Sequence, residues 1–292
     1  MSVGRGGFVL TVLVAWMLVA SCGAGGGDAG AFEDRAREVA ARWQGSADDR
    51  AWRGGFVALE VLNPQGWARV GDVPAWVNRS AHNGVWKLDV ELPTDTPPGA
   101  DVRWPDGKVS RVPLVSAATA YAEFGRPAPL TEDECPAKGC RPLRVIGARL
   151  GRVPVETSRG TVRVPAWVFT VAGVEKAKVH VAVDPSAVTA RPERVPGKFE
   201  EVPAYDLVAG EPKKLLLRYG YGACETVHGA RVYETDQVVV VDVDKRNART
   251  AQVCLDILKM ATTTVTLARP LGDRLVLDSE AGLPVLRGLN RH

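Results

Sequence analysis

The chain has 292 residues, 46% of them hydrophobic and 24% charged, a globular composition outside the disordered regime. Lys and Arg number 37 against 34 acidic residues, a net charge of +3 that lacks the basic excess expected of a nucleic-acid binder. The length accommodates two ordinary domains.

The first seven residues carry one cation, Arg5, and precede an apolar run from Phe8 to Ala20. A span needs about 20 residues, so residues 1–21 read as a signal peptide rather than a transmembrane helix. The run ends in Leu18-Val19-Ala20-Ser21-Cys22, which resembles the bacterial lipobox. That resemblance implies a diacylglyceryl group, with palmitate-type chains, on the Cys22 sulfur and cleavage before Cys22. An ordinary signal peptide cut near Ala24 is the alternative. Residues 22–31 then form a Gly-rich tether with an rms span of roughly 15–18 Å. The expected location is the outer face of the cytoplasmic membrane, held by acyl chains worth about 0.8 kcal/mol per buried methylene.

Residues 32–125 read as a small Trp-rich α+β domain. Phe32, Ala36, Val39, Ala40 and Trp43 fall at helical spacing with charges between them. Period-two patterns then predict strands over 56–62, ending at Asn63-Pro64, and over 85–92 after Asn83-Gly84. Pro105-Asp106-Gly107 predicts a hairpin turn, and 117–124 a short helix. Prolines and cysteines crowd residues 126–142, where a domain linker is expected.

Residues 143–290 read as a larger β-sandwich-like domain, so the fold class is α+β, mostly β. Strand patterns cover 143–150, 153–157, 161–171, 178–183, 213–219, 231–234, 237–243, 262–267 and 274–277. The run Val238 to Val241 is apolar on both faces and predicts a central strand. A short helix over 251–260 is expected to carry Cys254. The pentapeptide VPAWV occurs at both 73–77 and 164–168, but its flanks do not align.

Five cysteines are an odd number for an exported protein; lipidation of Cys22 leaves four. The economical pairing joins Cys135 to Cys140 and Cys224 to Cys254. A four-cysteine zinc site is the alternative.

Nucleophile-elbow, phosphate-loop and His-Glu-x-x-His patterns are absent. The four histidines are scattered, and no metal or cofactor is called for. Six of the eight tryptophans lie between positions 43 and 104. Core filling accounts for most; Trp52, Trp67 and Trp104, near turns, are candidates for stacking on a sugar ring or partner. Two charged clusters, Glu225 with His228 and Asp273 with Arg274, are candidates for a polar site or for structural turns.

The phrases LRVIGARLG, VETSRGTVRVPAWVFTV, YGYGACE and VTLARPLGDRLVLD resemble segments of uncharacterised lipoproteins of Streptomyces and related actinomycetes. An Arg-over-Lys ratio of 27 to 10 accords with GC-rich genomes of that kind. The resemblance implies location and architecture and transfers no catalytic residue. The expected function is non-catalytic binding of a cell-envelope glycan or protein partner. An envelope hydrolase using an unrecognised carboxylate pair, Glu225 and Asp273, is the alternative. A transporter's solute-binding subunit is disfavoured because βαβ alternation is missing.

Overall fold

The computed structural model describes residues 26–67, 71–127, 135, 140–193, 198–247, 254 and 257–288. Cys22 and the signal segment lie outside the described residues, and residues 26–31, expected to belong to a flexible tether, are instead the start of the first helix. The chain opens with helices α1 (Gly26–Trp43), α2 (Ala47–Gly54) and α3 (Ala75–His82). Strands β1 (Trp86–Leu88), β2 (Ala100–Arg103) and β3 (Val109–Val112) precede helix α4 (Ala117–Phe124). Then come β4 (Leu143–Thr157), β5 (Gly160–Val171), β6 (Lys178–Val181), β7 (Ala204–Val208) and β8 (Glu211–Gly222). The last are β9 (Glu225–Glu234), β10 (Val238–Asn247), β11 (Leu258–Thr266), β12 (Leu275–Asp278) and β13 (Leu286–Arg287). The fold is α+β with strand well in excess of helix.

Two compact units result, and their division departs from the expected linker. Unit 1 comprises residues 1–39, 201–280 and 285–292; unit 2 comprises 40–200 and 281–284. The expected boundary at 126–142 lies largely outside the described residues, and the chain on either side of it belongs to one unit. The physical reason is strand pairing. β1 takes β4 as a parallel neighbour, and Leu114 bridges Val183.

In unit 1, a sheet ordered β12-β10-β9 faces a sheet ordered β11-β8-β7-β13. Tyr205, Leu215 and Leu217 from one meet Val239, Val241 and Val243 from the other, the packing of a β-sandwich. The opposite face of β10 is also buried, at Val238, Val240 and Asp242. There the unit 1 part of α1 contributes Arg35, whose Nη2 lies 2.9 Å from Asp242 Oδ2, and Phe32, whose ring lies 5.0 Å from the Arg231 guanidinium. The double-sided apolar run thus sits centrally, as expected.

In unit 2 the sheet is ordered β1-β4-β5-β6 and carries a core on each face. Val162, Val164 and Val181 pack with Phe56 and Trp104 on one side. Trp167, Phe169 and Val145 pack with α4 through Phe124 on the other. β4 is one long strand where two were expected. It serves both cores through a bulge: Val145 pairs with Val171 but Gly147 with Thr170, leaving Ile146 as the extra residue. Before the bulge Leu143 packs with Val77 and Ala81 of α3 and Val145 with α4; after it Val153 and Val155 pack on the opposite side with Phe56.

Other expectations are corrected. Residues 56–62 make only the bridge Ala58 to Thr157, and of 85–92 only β1 is strand. Both runs turn away after pairing briefly beside β4. Leu258 to Met260, expected in a helix, begin β11 because they pair with β8; most of 251–257 lies outside the described residues. The helices α2 and α3 were missed. Ser46 caps α2 by accepting from Asp49 N. The copy of VPAWV at 73–77 enters α3 whereas the copy at 164–168 lies in β5. The predicted hairpin turns at 105–107 and 157–160 are present, with Gly107 and Gly160 at positive φ.

Leu143→Ala together with Val145→Ala is expected to remove the two core side chains that β4 supplies before the bulge. Each buried side chain is worth about 1.5–3 kcal/mol, so thermal unfolding should move down by roughly 10 °C or more. Ile146→Thr should leave the midpoint within about 2 °C, because that side chain is half-exposed.

Candidate functional site

β6 ends its sheet, so the N–H and C=O groups on its outer side need partners. The chain supplies several from the segment 63–67. The Asn63 carboxamide accepts from Val181 N at 2.7 Å and donates to Val181 O at 3.3 Å. Trp67 Nε1 donates to the carbonyls of Lys176 and Ala177 at 3.1 and 3.2 Å. In return, Lys178 Nζ donates to the carbonyls of Pro64 and Gly66 at 2.5 and 2.6 Å. Gly66 is required by a close approach. A Cβ there would lie 2.6 Å from Asn78 Oδ1, which already accepts from Trp67 N.

Between this segment and the sheet lies a cleft of about 290 Å³. Val61, Leu62, Val153, Val155, Val179 and Val181 give it apolar walls, and Trp67 and Lys178 contribute to the same lining. Asp72 and Lys176, paired at 2.6 Å, stand with Glu60 among its charged groups. A concave apolar site with a few convergent polar groups is the physical form of a small-ligand site.

The buried cations of β6 sit in an unusual environment. Burial pushes Lys178 down to about 8, even though two carbonyls and the Phe124 ring, 5.6 Å away, face its ammonium. His180 is pushed down to about 4, first by burial and then by the Lys178 charge. It is therefore neutral at pH 7. Glu123 Oε2 lies 2.9 Å from His180 Nε2 but off the hydrogen-bonding direction, and its carboxyl is raised by burial. At neutral pH this contact is not an ion pair.

Unit 1 holds a second titratable cluster. Asp242 is 1% exposed, and its Oδ2 accepts from Arg35 and Arg231 at 2.9 and 2.6 Å. Glu201 is pushed up to about 7 by burial, by its hydrogen bond with Asp242 and by that group's charge. Lys245, 3.4 Å from Glu201 Oε1, opposes the shift; Asp278 adds to it. Asp242 Oδ1 has no donor from any charged or amide group.

The residues singled out in sequence are distributed differently from expectation. Trp52, Trp67 and Trp104 are 6%, 9% and 3% exposed, because each is packed rather than displayed. Trp104 donates to Ser110 Oγ at 2.8 Å, and its ring meets Phe56 edge-on and the Arg159 guanidinium at 4.0 Å. Trp67 stacks near Trp86 and reaches the cleft only as part of its lining. Glu225 accepts from Gly222 N at the β8–β9 turn. Arg274 is buried, bonded to Glu234 at 2.7 Å and to the carbonyls of Arg269, Pro270 and Leu271. Glu225 and Glu234 begin and end β9, so the clusters of Glu225 and of Asp273 with Arg274 lie about 30 Å apart and form no common site. The cysteines form disulfides Cys135–Cys140 and Cys224–Cys254, which excludes their use as a zinc centre. Among the described residues, no group of three or more His, Cys, Asp or Glu side chains is placed to hold a metal ion.

No family model, curated protein or solved structure matches this chain.

Asn63, Lys178 and Val179 escaped the sequence reading. Lys178-Val179-His180-Val181 alternates polar with apolar, which ordinarily sends the polar positions to solvent. Here both sheet faces are covered, so Lys178 and His180 point inward.

The two clusters carry opposite pH dependence. His180 titrates below its ordinary 6.5, so its contribution to stability is present above that pH and is lost as the pH falls toward 4. That loss amounts to about 3 kcal/mol. Glu201 titrates above its ordinary 4.5, so its contribution is present below that pH and is lost as the pH rises through 7. Thermal unfolding between pH 4 and 8 should show the acid-side loss reduced in His180→Gln and the alkaline-side loss reduced in Glu201→Gln. An unchanged slope in either variant refutes the corresponding assignment. Gly66→Ala should displace the Asn78 carboxamide, lower the midpoint by several degrees and red-shift tryptophan emission.

Proposed function

We propose that this protein is a lipid-anchored lipoprotein of the outer face of the cytoplasmic membrane, akin to those of actinomycetes, which binds a cell-envelope glycan without catalysing a reaction on it. The cleft of unit 2 carries the reading. It combines apolar walls, an indole in the lining and charged groups at hand for hydroxyls, the composition suited to a sugar ring. Of its titratable groups, Lys178 is engaged by two carbonyls and Lys176 by Asp72. Two disulfides support an oxidising compartment. The lipobox-like Cys22, close before α1, supports membrane attachment without a membrane-binding face.

The hydrolase alternative loses its proposed pair, since Glu225 and Asp273 belong to clusters at opposite ends of β9.

Expression of the full chain and of Cys22→Ala in an actinomycete host tests the anchor. The parent should fractionate with membranes and carry acyl mass on Cys22, and the variant should be released. Titration of the detergent-extracted protein with purified wall polysaccharide tests the cleft. Saturable binding, weakened at least tenfold by the cleft-filling Val155→Trp, is expected. Saturation unaffected by that substitution, or no binding, would sink the reading.

A further inference from the structure

We infer that the cleft of unit 2 grips its saccharide by a vicinal diol, with the outward N–H and C=O of Val179 as the two hydrogen-bonding partners. The inference rests on the glycan-binding reading above and names the group on the sugar that is recognised.

The register of β6 determines which backbone groups are free. In an antiparallel pair, alternate residues exchange hydrogen bonds with the neighbouring strand, and those between them point the other way. Ala182 N bonds Pro165 O at 2.9 Å, so His180 and Lys178 exchange bonds with Trp167 and Phe169 of β5. Val179 and Val181 therefore direct N–H and C=O to the outer edge. Val181 shows what that edge accepts: both groups are taken by a single carboxamide, that of Asn63, which presents a donor and an acceptor side by side. Val179 offers the same pair one station along. It is half-buried and belongs to the cleft lining, and no described residue bonds its outward groups.

The chemistry of this pair is selective. A carboxylate only accepts, and an ammonium or guanidinium only donates, so neither satisfies both groups. The trans secondary amide of an acetamido group points its N–H and C=O in opposite directions and reaches one of them. Neighbouring hydroxyls on a pyranose satisfy both, one donating to Val179 O and the other accepting from Val179 N. An extended peptide would also match in principle, by strand addition. However, the segment from Asn63 to Trp67 already runs antiparallel to β6, meeting it at Val181 and at Lys176 and Ala177. One station is left rather than a row, and about 290 Å³ lies at the small end of ligand sites. Val153 and Val155 suit the C–H face of a ring, and Glu60 and Asp72 suit its remaining hydroxyls.

The test uses the detergent-extracted full chain, calorimetric titration and hydrogen exchange followed by mass spectrometry. The diol probes are cellotetraose, maltotetraose and mannotetraose, which differ in stereochemistry and linkage but carry vicinal diols on their internal rings. Chitotetraose methylated at O4 of its non-reducing end, which carries an acetamido group at C2 of every ring and no vicinal diol, is the counter-probe. A glutamine tripeptide amide tests the carboxamide that Asn63 exemplifies. At least one diol probe should bind tenfold or more tighter than the methylated chitotetraose and slow exchange across 176–183. Val179→Pro removes the outward N–H without touching a β5 bond, and should weaken that probe by about fivefold or more. Should that variant fail to fold, exchange across 176–183 in the parent decides the same point. Equal or tighter binding of the methylated chitotetraose, or unchanged exchange at 176–183, overturns the diol assignment and leaves the glycan reading standing. Binding of the glutamine peptide alone overturns the assignment in favour of a carboxamide ligand. Failure of all four saccharides together with wall polysaccharide overturns both.

Discussion

An unpaired strand edge governs the architecture around the cleft. β6 is the outermost strand of its sheet, and a buried backbone donor or acceptor without a partner costs about 1–3 kcal/mol. The chain meets that demand with side chains instead of another strand. Asn63 imitates a strand residue at Val181, Trp67 reaches the carbonyls at 176 and 177, and Lys178 answers with its ammonium to the carbonyls at 64 and 66. The segment is thereby held along the edge at three places. The space left between it and the sheet is the cleft.

Burying charge is expensive, and the two units handle it differently. In unit 2, Lys178 keeps carbonyl partners and an aromatic neighbour, while His180 gives up its charge. In unit 1, two guanidiniums face the Asp242 carboxylate, and Glu201 beside it is pushed up to about 7. These are the two available solutions for ionisable groups at low dielectric: compensation by opposite charge, or neutralisation. The Arg35 contact also gives α1 a specific seat on β10, beyond its apolar face.

Small departures from regular pairing let one sheet serve two cores. The bulge at Ile146 reverses the facing of β4 midway, so the same odd-numbered positions line both sides in turn. Pro165 has no N–H to offer β6, and the carbonyl of Ala182 instead accepts Val115 N at 2.8 Å. That exchange ties the segment after β3 to the end of β6. It is a long-range consequence of a single residue type.

Much of the fold was legible in the sequence because periodicity reports burial directly. The α1 stripe, the hairpin turns at 105–107 and 157–160, most of the second-half strands and the double-sided run at 238–241 all follow from local pattern. Both disulfide pairs followed from the parity of the cysteines and the economy of their spacing. Which strands are neighbours did not follow, since the parallel pairing of β1 with β4 is a contact between distant segments. VPAWV illustrates the limit, being helix at 73–77 and strand at 164–168: five residues have no preference strong enough to resist their surroundings. The cleft was illegible for the same reason. Asn63, Trp67, Lys178 and Val179 become a site only when two segments more than 100 residues apart are laid side by side, and that placement belongs to the tertiary structure.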